Sequence, residues 1–211
     1  MSQYVRDNPN QIYAIIDTET EGLSLIGKNR PWQCGYVLYQ NGRIIKESER
    51  FIRWDDLNIS EGAARVTRFD WNEYRGKAED PMVVLKDLEE HLGNSEIVKI
   101  IHNSHNFDAF IIKNWREALG LVNDYSYLND TIDSNALARA VKKGVKKIER
   151  QDWKMMMFRF ANYVEKGLKT SLTSLGKEFK IEHDYDSLHR GLSDVHLNIK
   201  VFEKLKWQIE I

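Results

Sequence analysis

The dipeptide Asn41-Gly42 limits how this chain can fold more than any other feature of the sequence. Two segments of β-strand character, Trp32–Gln40 and Arg43–Phe51, lie on either side of it. Asn-Gly readily adopts the left-handed backbone conformations of a two-residue turn, so the sequence predicts an antiparallel hairpin at this point. The fold should therefore contain a sheet in which at least two neighbouring strands are antiparallel.

Around the hairpin, apolar runs typical of strands alternate with helical patterns. Ile12–Ile16 reads as a buried strand and Glu96–Ile101 as another. Asp80-Pro81 has the N-cap and the first-turn proline of a helix that Gly93 ends. Further helices are predicted at Phe107–Leu119, with Gly120 as the stop, at Ser134–Val141, at Ser171–Phe179 and from Leu192 to about Leu205. This order predicts an α/β fold in which helices flank a mixed sheet.

The composition predicts one ordinary globular domain over residues 1–211. Hydrophobic residues make up 42% of the chain and charged residues 30%. No apolar run approaches the roughly 18 residues of a membrane helix, and the polar N-terminal segment lacks the apolar stretch of a secretory signal. Cys34 is the only cysteine, which excludes an internal disulfide and a thiolate zinc site and favours a buried thiol. We expect a protein of the reducing cytoplasm with no membrane partner.

Charge is unevenly distributed, although the net charge is only −1. Residues 141–169, which we call the basic segment, contain nine lysines and arginines but only three acidic residues, so the segment carries +6 and the remainder −7. An acidic body with a basic segment suits an enzyme that gathers carboxylates around a metal and still holds a polyanion.

The basic segment interleaves its cations with aromatic residues, a combination by which proteins hold single strands of nucleic acid. It supplies four candidate substrate-binding residues, Lys142, Lys143, Lys146 and Lys147. The alternative is an amphipathic helical stretch in which Met155–Met157 and the aromatic residues face the core while the lysines face water. The sequence alone leaves both interpretations open.

Asp17 and Glu19 directly follow the first apolar run. In an extended strand, side chains two residues apart point to the same face, so these carboxylates should lie side by side at a strand end. They repel each other unless a cation compensates them, and the hard cations Mg²⁺ and Mn²⁺ prefer oxygen ligands. A solvated acidic turn is the alternative interpretation.

A second polar cluster, HNSHNFD (102–108), follows the apolar run that ends at Ile101. It leads into a predicted helix, the place outside strand ends where α/β proteins bind ligands. Asp108 is a candidate ligand, although the helix dipole also favours an acid in the first turn. His102 and His105 are expected to be structural hydrogen-bonding residues.

His189 and Asp194 form a third cluster. On one helix they would lie on different faces, so they act together only if His189 lies in a loop and Asp194 in the first turns of the following helix. Gly191 would permit the bend between them. A histidine side chain ordinarily titrates near pH 6.5, which suits general-base catalysis. A capping or ion-pairing role is the alternative.

Together, the three clusters resemble the motifs of the DEDDh exonucleases, the DnaQ-like branch of the ribonuclease H-like superfamily. DTETEGL (17–23) is similar to motif I, HNSHNFDAF (102–110) to motif II and HRGLSD (189–194) to motif III, in the family's order and spacing. The resemblance extends from Ile12 to about Leu205. It implies a ribonuclease H-like α/β fold with a mixed five-stranded sheet, and metal-dependent 3′→5′ exonuclease activity.

The resemblance also implies roles for individual residues. The metal ligands would be Asp17, Glu19, Asp108 and Asp194. They would hold two Mg²⁺ ions per site, for which Mn²⁺ substitutes, and His189 would be the general base. The positions that the family uses around the substrate are matched by Thr18, Thr20, Leu23, Asn103 and Asn106.

Motif II departs from the family's commonest form. It has one more residue before Asp108 than HNxxFD, a spacing similar to that of the exonuclease I subgroup, which Arg30–Gln33 also resembles. The sequence leaves open whether Asn103 or Asn106 fills the family's asparagine position. Asp133, at the end of a segment that the family shows before a helix, is expected to be structural.

The implied partners are single-stranded 3′ ends of nucleic acid, from which nucleoside 5′-monophosphates would be released. DNA is expected rather than RNA, because motif I is most similar to that of DNA-trimming members. The alternatives are an RNA-trimming exonuclease of the same fold, a non-catalytic nucleic-acid-binding module and a polymerase accessory subunit.

Overall fold

The computed structural model describes residues 8–25 and 29–211, and within them the chain forms one five-stranded mixed sheet. The strands are β1 (Ile12–Thr20), β2 (Pro31–Gln40), β3 (Arg43–Phe51), β4 (Ile97–Ile101) and β5 (Thr131–Asp133). Their order across the sheet is β3-β2-β1-β4-β5. Strand β2 is antiparallel to both β1 and β3, whereas β4 runs parallel to both β1 and β5. The predicted α/β class and five-stranded mixed sheet are confirmed.

The helices connect and flank these strands. They are α1 (Glu61–Thr67), α2 (Trp71–Lys77), α3 (Pro81–Leu92), α4 (Asp108–Ala118), α5 (Ser134–Lys142), α6 (Trp153–Ala161), α7 (Leu172–Glu178) and α8 (Gly191–Leu205). The predictions for α3, α4, α5, α7 and α8 are confirmed to within a few residues. No helix of the described ranges is long and apolar enough to cross a membrane.

The hairpin prediction is also confirmed. Asn41 and Gly42 both have positive φ, 46° and 78°, which is the backbone of a turn whose twist matches the flanking strands. The register pairs Gln40 with Arg43. The prediction for β1 was too short, because the strand continues past Ile16 through Asp17 and Glu19 to Thr20.

Strand β1 is buried on both faces and divides the core. Tyr13 and Ile15 pack against the side of the sheet that carries α5 to α8, and Ala14 and Ile16 pack against the side that carries α3 and α4. The two-residue period of a strand explains this alternation. Polar residues at the end of such a strand are held in a fixed position by the core on either side of it.

Candidate metal-dependent active site

The four predicted ligands meet at the carboxyl end of β1. Ile16 lies opposite Ile101 in the parallel pair β1–β4, so the chain reaches Asp17 and the start of motif II at the same edge of the sheet. Asp108 is the first residue of α4, and Asp194 lies in the first turn of α8. Parallel pairing and two helix starts thus bring together carboxylates that are far apart in sequence.

Three of these carboxylates form a compact group. One oxygen each from Asp17, Glu19 and Asp194 lies within 4.8 Å of the other two. Asp108 is connected to the group through Thr18, whose hydroxyl donates a hydrogen bond of 2.9 Å to Asp108 Oδ1. Thr18, one of the predicted substrate residues, therefore orients a carboxylate.

Burial raises the pKa of every carboxyl in this group, and repulsion between its members adds to the effect for Asp17 and Glu19. The pKa of Asp17 is raised well above its usual range, first by burial and then by Asp194, Glu19 and Asp108. Burial is likewise the main cause that raises the pKa of Glu19 to about 8 and that of Asp108 to about 7. These directions describe a group of carboxylates whose ionised forms are unfavourable unless a cation joins them.

The donor set fits a divalent metal ion. All four side chains offer hard oxygen ligands, which select Mg²⁺ or Mn²⁺ over softer metals. The close approach of three oxygens is unfavourable for ionised carboxylates alone and becomes favourable around a cation. The residues that would hold such ions are Asp17, Glu19, Asp108 and Asp194.

This arrangement predicts that Mg²⁺ raises the melting temperature of the protein. An ion that binds only the folded state stabilises it by about 2.7 kcal/mol at 100 times its dissociation constant, which is roughly 5–10 °C for a chain of this size. Thermal unfolding in EDTA, in millimolar MgCl₂ and in NaCl of equal ionic strength measures the effect. Equal melting temperatures in MgCl₂ and NaCl would contradict a preformed metal site.

His189 lies in the loop before α8, as predicted. Its backbone has a left-handed φ of 65°, and its N–H donates a 2.6 Å hydrogen bond to Asp194 Oδ2. The side chain is exposed and lines the same cavity as the carboxylates. The prediction that Gly191 provides the bend was wrong, because His189 itself takes the unusual conformation and Gly191 begins the helix.

Gly191 instead allows α8 to approach β2 closely. A Cβ on Gly35 would lie 2.8 Å from the carbonyl carbon of Gly191, and a Cβ on Gly191 would lie 3.3 Å from the nitrogen of Gly35. Both glycines are required by this contact, which sets the position of the first turn of α8. That turn carries Asp194.

Gly35→Ala is therefore expected to destabilise the protein by about 1–3 kcal/mol and to lower activity, because the added methyl group overpacks the contact and displaces Asp194. Urea unfolding and a nuclease assay measure the two effects. Gly76→Ala is the matched control: it lies inside α2 with nothing within 4 Å of the added Cβ and should be neutral or stabilising. Equal stabilities of the two variants would show that the contact is not tight.

The carboxylates line one wall of a cavity of about 670 Å³. Thr20 and Leu23, two of the predicted substrate residues, also line it, and Leu23 is 88% exposed. Another part of the wall is formed by α1, including Arg65 and Val66. Helix α1 was not predicted from the sequence. The serine at position 60 is a signal that could have indicated it, because Ser60 is the N-cap of this helix and its side chain accepts a hydrogen bond from the backbone N–H of Ala63.

The two asparagines of motif II have structural contacts. Asn103 takes a left-handed φ of 69° and donates its backbone N–H to Asp133. Asn106 donates its side-chain amide to the carbonyl of Ala161 at the end of α6. Among the described residues, neither asparagine lines the carboxylate cavity. Their roles at the substrate stay predictions.

The expected structural roles of the motif II histidines agree with their contacts. His102 Nδ1 lies 3.0 Å from the hydroxyl of Ser134, and His105 Nδ1 lies 3.4 Å from Asp133. Asp133 caps α5 by accepting from two backbone N–H groups, and its pKa is lowered mainly by His105 and these N–H donors against the effect of burial. Hydrogen bonds to Asp133 and Ser134 thus hold motif II against the start of α5.

The structure does not bring the four candidate lysines to the cavity. They follow or end α5, and the backbone of Lys146 pairs with Glu210, beyond the end of α8 that is distant from the site. Lys142, Lys143 and Lys147 form ion pairs with Glu178, Glu165 and Glu149. Their role in substrate binding stays a prediction and would require a strand that extends far from the site.

The basic segment is only partly helical. Its first two residues end α5, its middle forms a short 3-10 turn (Arg150–Asp152) followed by α6, and loops make up the rest. The amphipathic alternative holds in part, since Met157 and Phe160 are buried in the core. Met155 and Phe158, which the same alternative placed in the core, are 62% and 66% exposed.

Comparison with known proteins identifies relatives of this arrangement. The model of the exonuclease family (RNase_T) matches residues 14–202. No curated protein matches the sequence. The fold is similar to Escherichia coli exonuclease I in complex with a dA16 oligonucleotide (TM-score 0.73) and in a zinc-bound complex with single-stranded DNA (TM-score 0.72). In both comparisons identity is 19%, and the match covers 94% of this chain and 41% of the solved chain, so this chain spans about two fifths of that protein.

Proposed function

Because this chain belongs to the exonuclease family, we propose that it removes nucleotides one at a time from the 3′ end of single-stranded DNA. The observation that carries the proposal is the meeting of Asp17, Glu19 and Asp194 within 4.8 Å, with Asp108 held beside them through Thr18. We further propose that these four residues hold two Mg²⁺ ions and that Mn²⁺ can replace them.

When bound, two such ions supply a strong nucleophile from water and neutralise charge on the leaving oxygen. The chain's own residues position the reaction. Thr18 fixes the orientation of Asp108, and the backbone N–H of His189 fixes that of Asp194. Burial of the carboxylates keeps bulk water away from them, which strengthens their interaction with a cation.

His189 is the proposed general base. Its backbone is held by Asp194, while its ring is exposed at the mouth of the cavity. There the ring can accept a proton from the attacking water and release it to solvent. The bond that breaks joins phosphorus to the 3′ oxygen of the penultimate nucleotide, so the product is a nucleoside 5′-monophosphate.

The cavity supports the choice of a single-stranded end. Besides the carboxylates it is lined by α1, with exposed Leu23 and Val66 as apolar surfaces for a base and Arg65 as a cation for a phosphate. Hydrolysis at the carboxylates requires the terminal nucleotide to reach into this cavity, which favours an unpaired end. Single-stranded DNA in complexes of exonuclease I is consistent with this substrate class.

A reducing, cytoplasmic setting is also part of the proposal. It is supported by Cys34, which is a free and buried thiol.

A 5′-labelled oligonucleotide tests the polarity and the substrate. Single-stranded DNA, the same sequence as RNA and a blunt DNA duplex are incubated with the protein and Mg²⁺. We expect a ladder that shortens from the 3′ end, formed faster on single-stranded DNA than on the duplex or the RNA. Early release of the labelled 5′ nucleotide would contradict the polarity, and faster hydrolysis of RNA would replace DNA with RNA as the substrate.

A further inference from the structure

Helix α6 exposes a mixed apolar and cationic surface that the hydrolytic site does not use. Met155 and Phe158 lie one turn apart and are 62% and 66% exposed, while the other side of the helix is packed in the core. Lys154 and Arg159 lie on the same outer side, four residues from Phe158 and Met155 respectively, and both are exposed. We call these four residues the α6 face.

The cations of the α6 face are not neutralised locally. No acidic residue lies three or four positions from Lys154 or Arg159 in the sequence. Within residues 8–25 and 29–211, neither forms an ion pair with an acidic side chain, although the guanidinium of Arg159 lies over the ring of Phe160. This distinguishes them from Lys142, Lys143 and Lys147, which are paired with glutamates.

The α6 face is connected to the active site by the end of its helix. The carbonyl of Ala161 accepts from the side-chain amide of Asn106, two residues before the ligand Asp108. Arg139 also donates to the carbonyls of Phe160 and Ala161, at 3.0 and 2.6 Å. The helix is therefore fixed to motif II and to α5, and it also lies against the edge strand β5.

We propose that the α6 face binds the single-stranded nucleic acid that leads into the cavity, with Phe158 and Met155 contacting bases and Lys154 and Arg159 contacting phosphates. Exposed aromatic side chains with flanking cations are how proteins hold single strands without sequence preference. Charge complementarity to a polyanion and the hydrogen bond between motif II and the end of α6 favour this partner over a second protein surface. The inference rests on the proposed function for its choice of ligand.

Binding and turnover are measured separately on strands of two lengths. Fluorescence anisotropy in EDTA gives the dissociation constant for single-stranded DNA of about 20 nucleotides and for a trinucleotide, and Mg²⁺ is then added to measure kcat/KM. Phe158→Ala should weaken binding of the long strand about tenfold, the value of one stacked base, and leave the trinucleotide unaffected. The double variant with Lys154→Glu and Arg159→Glu should weaken binding of the long strand at least tenfold and reduce the dependence of that binding on salt concentration.

Val83→Ala and Lys86→Glu are the matched controls. Val83 and Lys86 are exposed one turn apart on α3, on the other side of the sheet. Both control variants should therefore bind the long strand and the trinucleotide as the wild type does. If both α6 variants bound the long strand as tightly as the wild type does, the proposal would be overturned. It would also be overturned if the wild type sedimented as a dimer and the α6 variants as monomers, because the α6 face would then bind a second copy of the chain. A length-dependent binding loss in a protein without turnover would support the α6 face while refuting the proposed hydrolysis.

Discussion

Asp17→Asn is expected to lower kcat by at least about 10³-fold, about 4 kcal/mol of transition-state stabilisation, while raising the melting temperature of the metal-free protein. The loss of activity follows because a carboxylate ligand becomes an amide. The gain in stability follows because Asp17 lies beside Glu19, Asp108 and Asp194, which all oppose its ionisation. A residue whose removal stabilises the fold and abolishes turnover is retained for function.

The stability gain depends on pH in a defined direction. Because the pKa values of these carboxyls are raised in the folded protein, to about 8 for Glu19 and about 7 for Asp108, folding favours their protonated forms. These carboxyls should therefore make the metal-free wild type lose stability as the pH rises from about 5 towards 8. Asp17→Asn should reduce this loss.

Melting temperatures in EDTA at about pH 5 and about pH 8.5 measure this difference. Asp55→Asn serves as the control, since Asp55 is an exposed acid outside the carboxylate group and should leave the pH dependence unchanged. An Asp17→Asn variant that melts below the wild type at the higher pH would contradict the electrostatic description of the site.

Replacing His189 is expected to lower kcat by about 10²–10⁴-fold with little change in KM, because a general base acts on the transition state rather than on substrate binding. His189→Ala also places alanine at a φ of 65°, which costs roughly 1–2 kcal/mol of stability. His189→Asn is the matched variant, because asparagine tolerates this conformation and still donates its backbone N–H to Asp194.

Steady-state kinetics and thermal unfolding of both variants separate the two roles. We expect equally large losses of kcat, with a lower melting temperature only for the alanine variant. If His189→Asn retained most of the wild-type kcat, His189 would be a structural residue that positions Asp194 and not the base.

Local signals in the sequence were sufficient for the fold class and for where three clusters of candidate residues lie along the chain. The left-handed turn at Asn41-Gly42, the N-cap at Asp80 and the apolar run before Asp17 each depend on neighbouring residues only, and the structure has them all. Asp108 and Asp194 could be placed because each falls in the first turn of a predicted helix.

Other features depend on contacts between distant segments, and the sequence interpretation missed them. The requirement for glycine at 191 arises from Gly35, more than a hundred residues earlier, so a local bend was the wrong explanation. The cavity wall at α1 consists of a seven-residue helix whose position is set by packing rather than by periodicity. The charge of the basic segment was evident, but ion pairs with Glu178 and Glu165 depend on the tertiary fold.

Chromatography of the products from single-stranded DNA tests most directly whether the carboxylate group is a metal-dependent exonuclease site. The wild type should release nucleoside 5′-monophosphates in Mg²⁺, release none in EDTA and recover when Mg²⁺ is restored in excess, while Asp17→Asn releases none under either condition. Equal release of nucleotides in EDTA, or by folded Asp17→Asn protein in Mg²⁺, would contradict a hydrolytic role for Asp17, Glu19, Asp108 and Asp194.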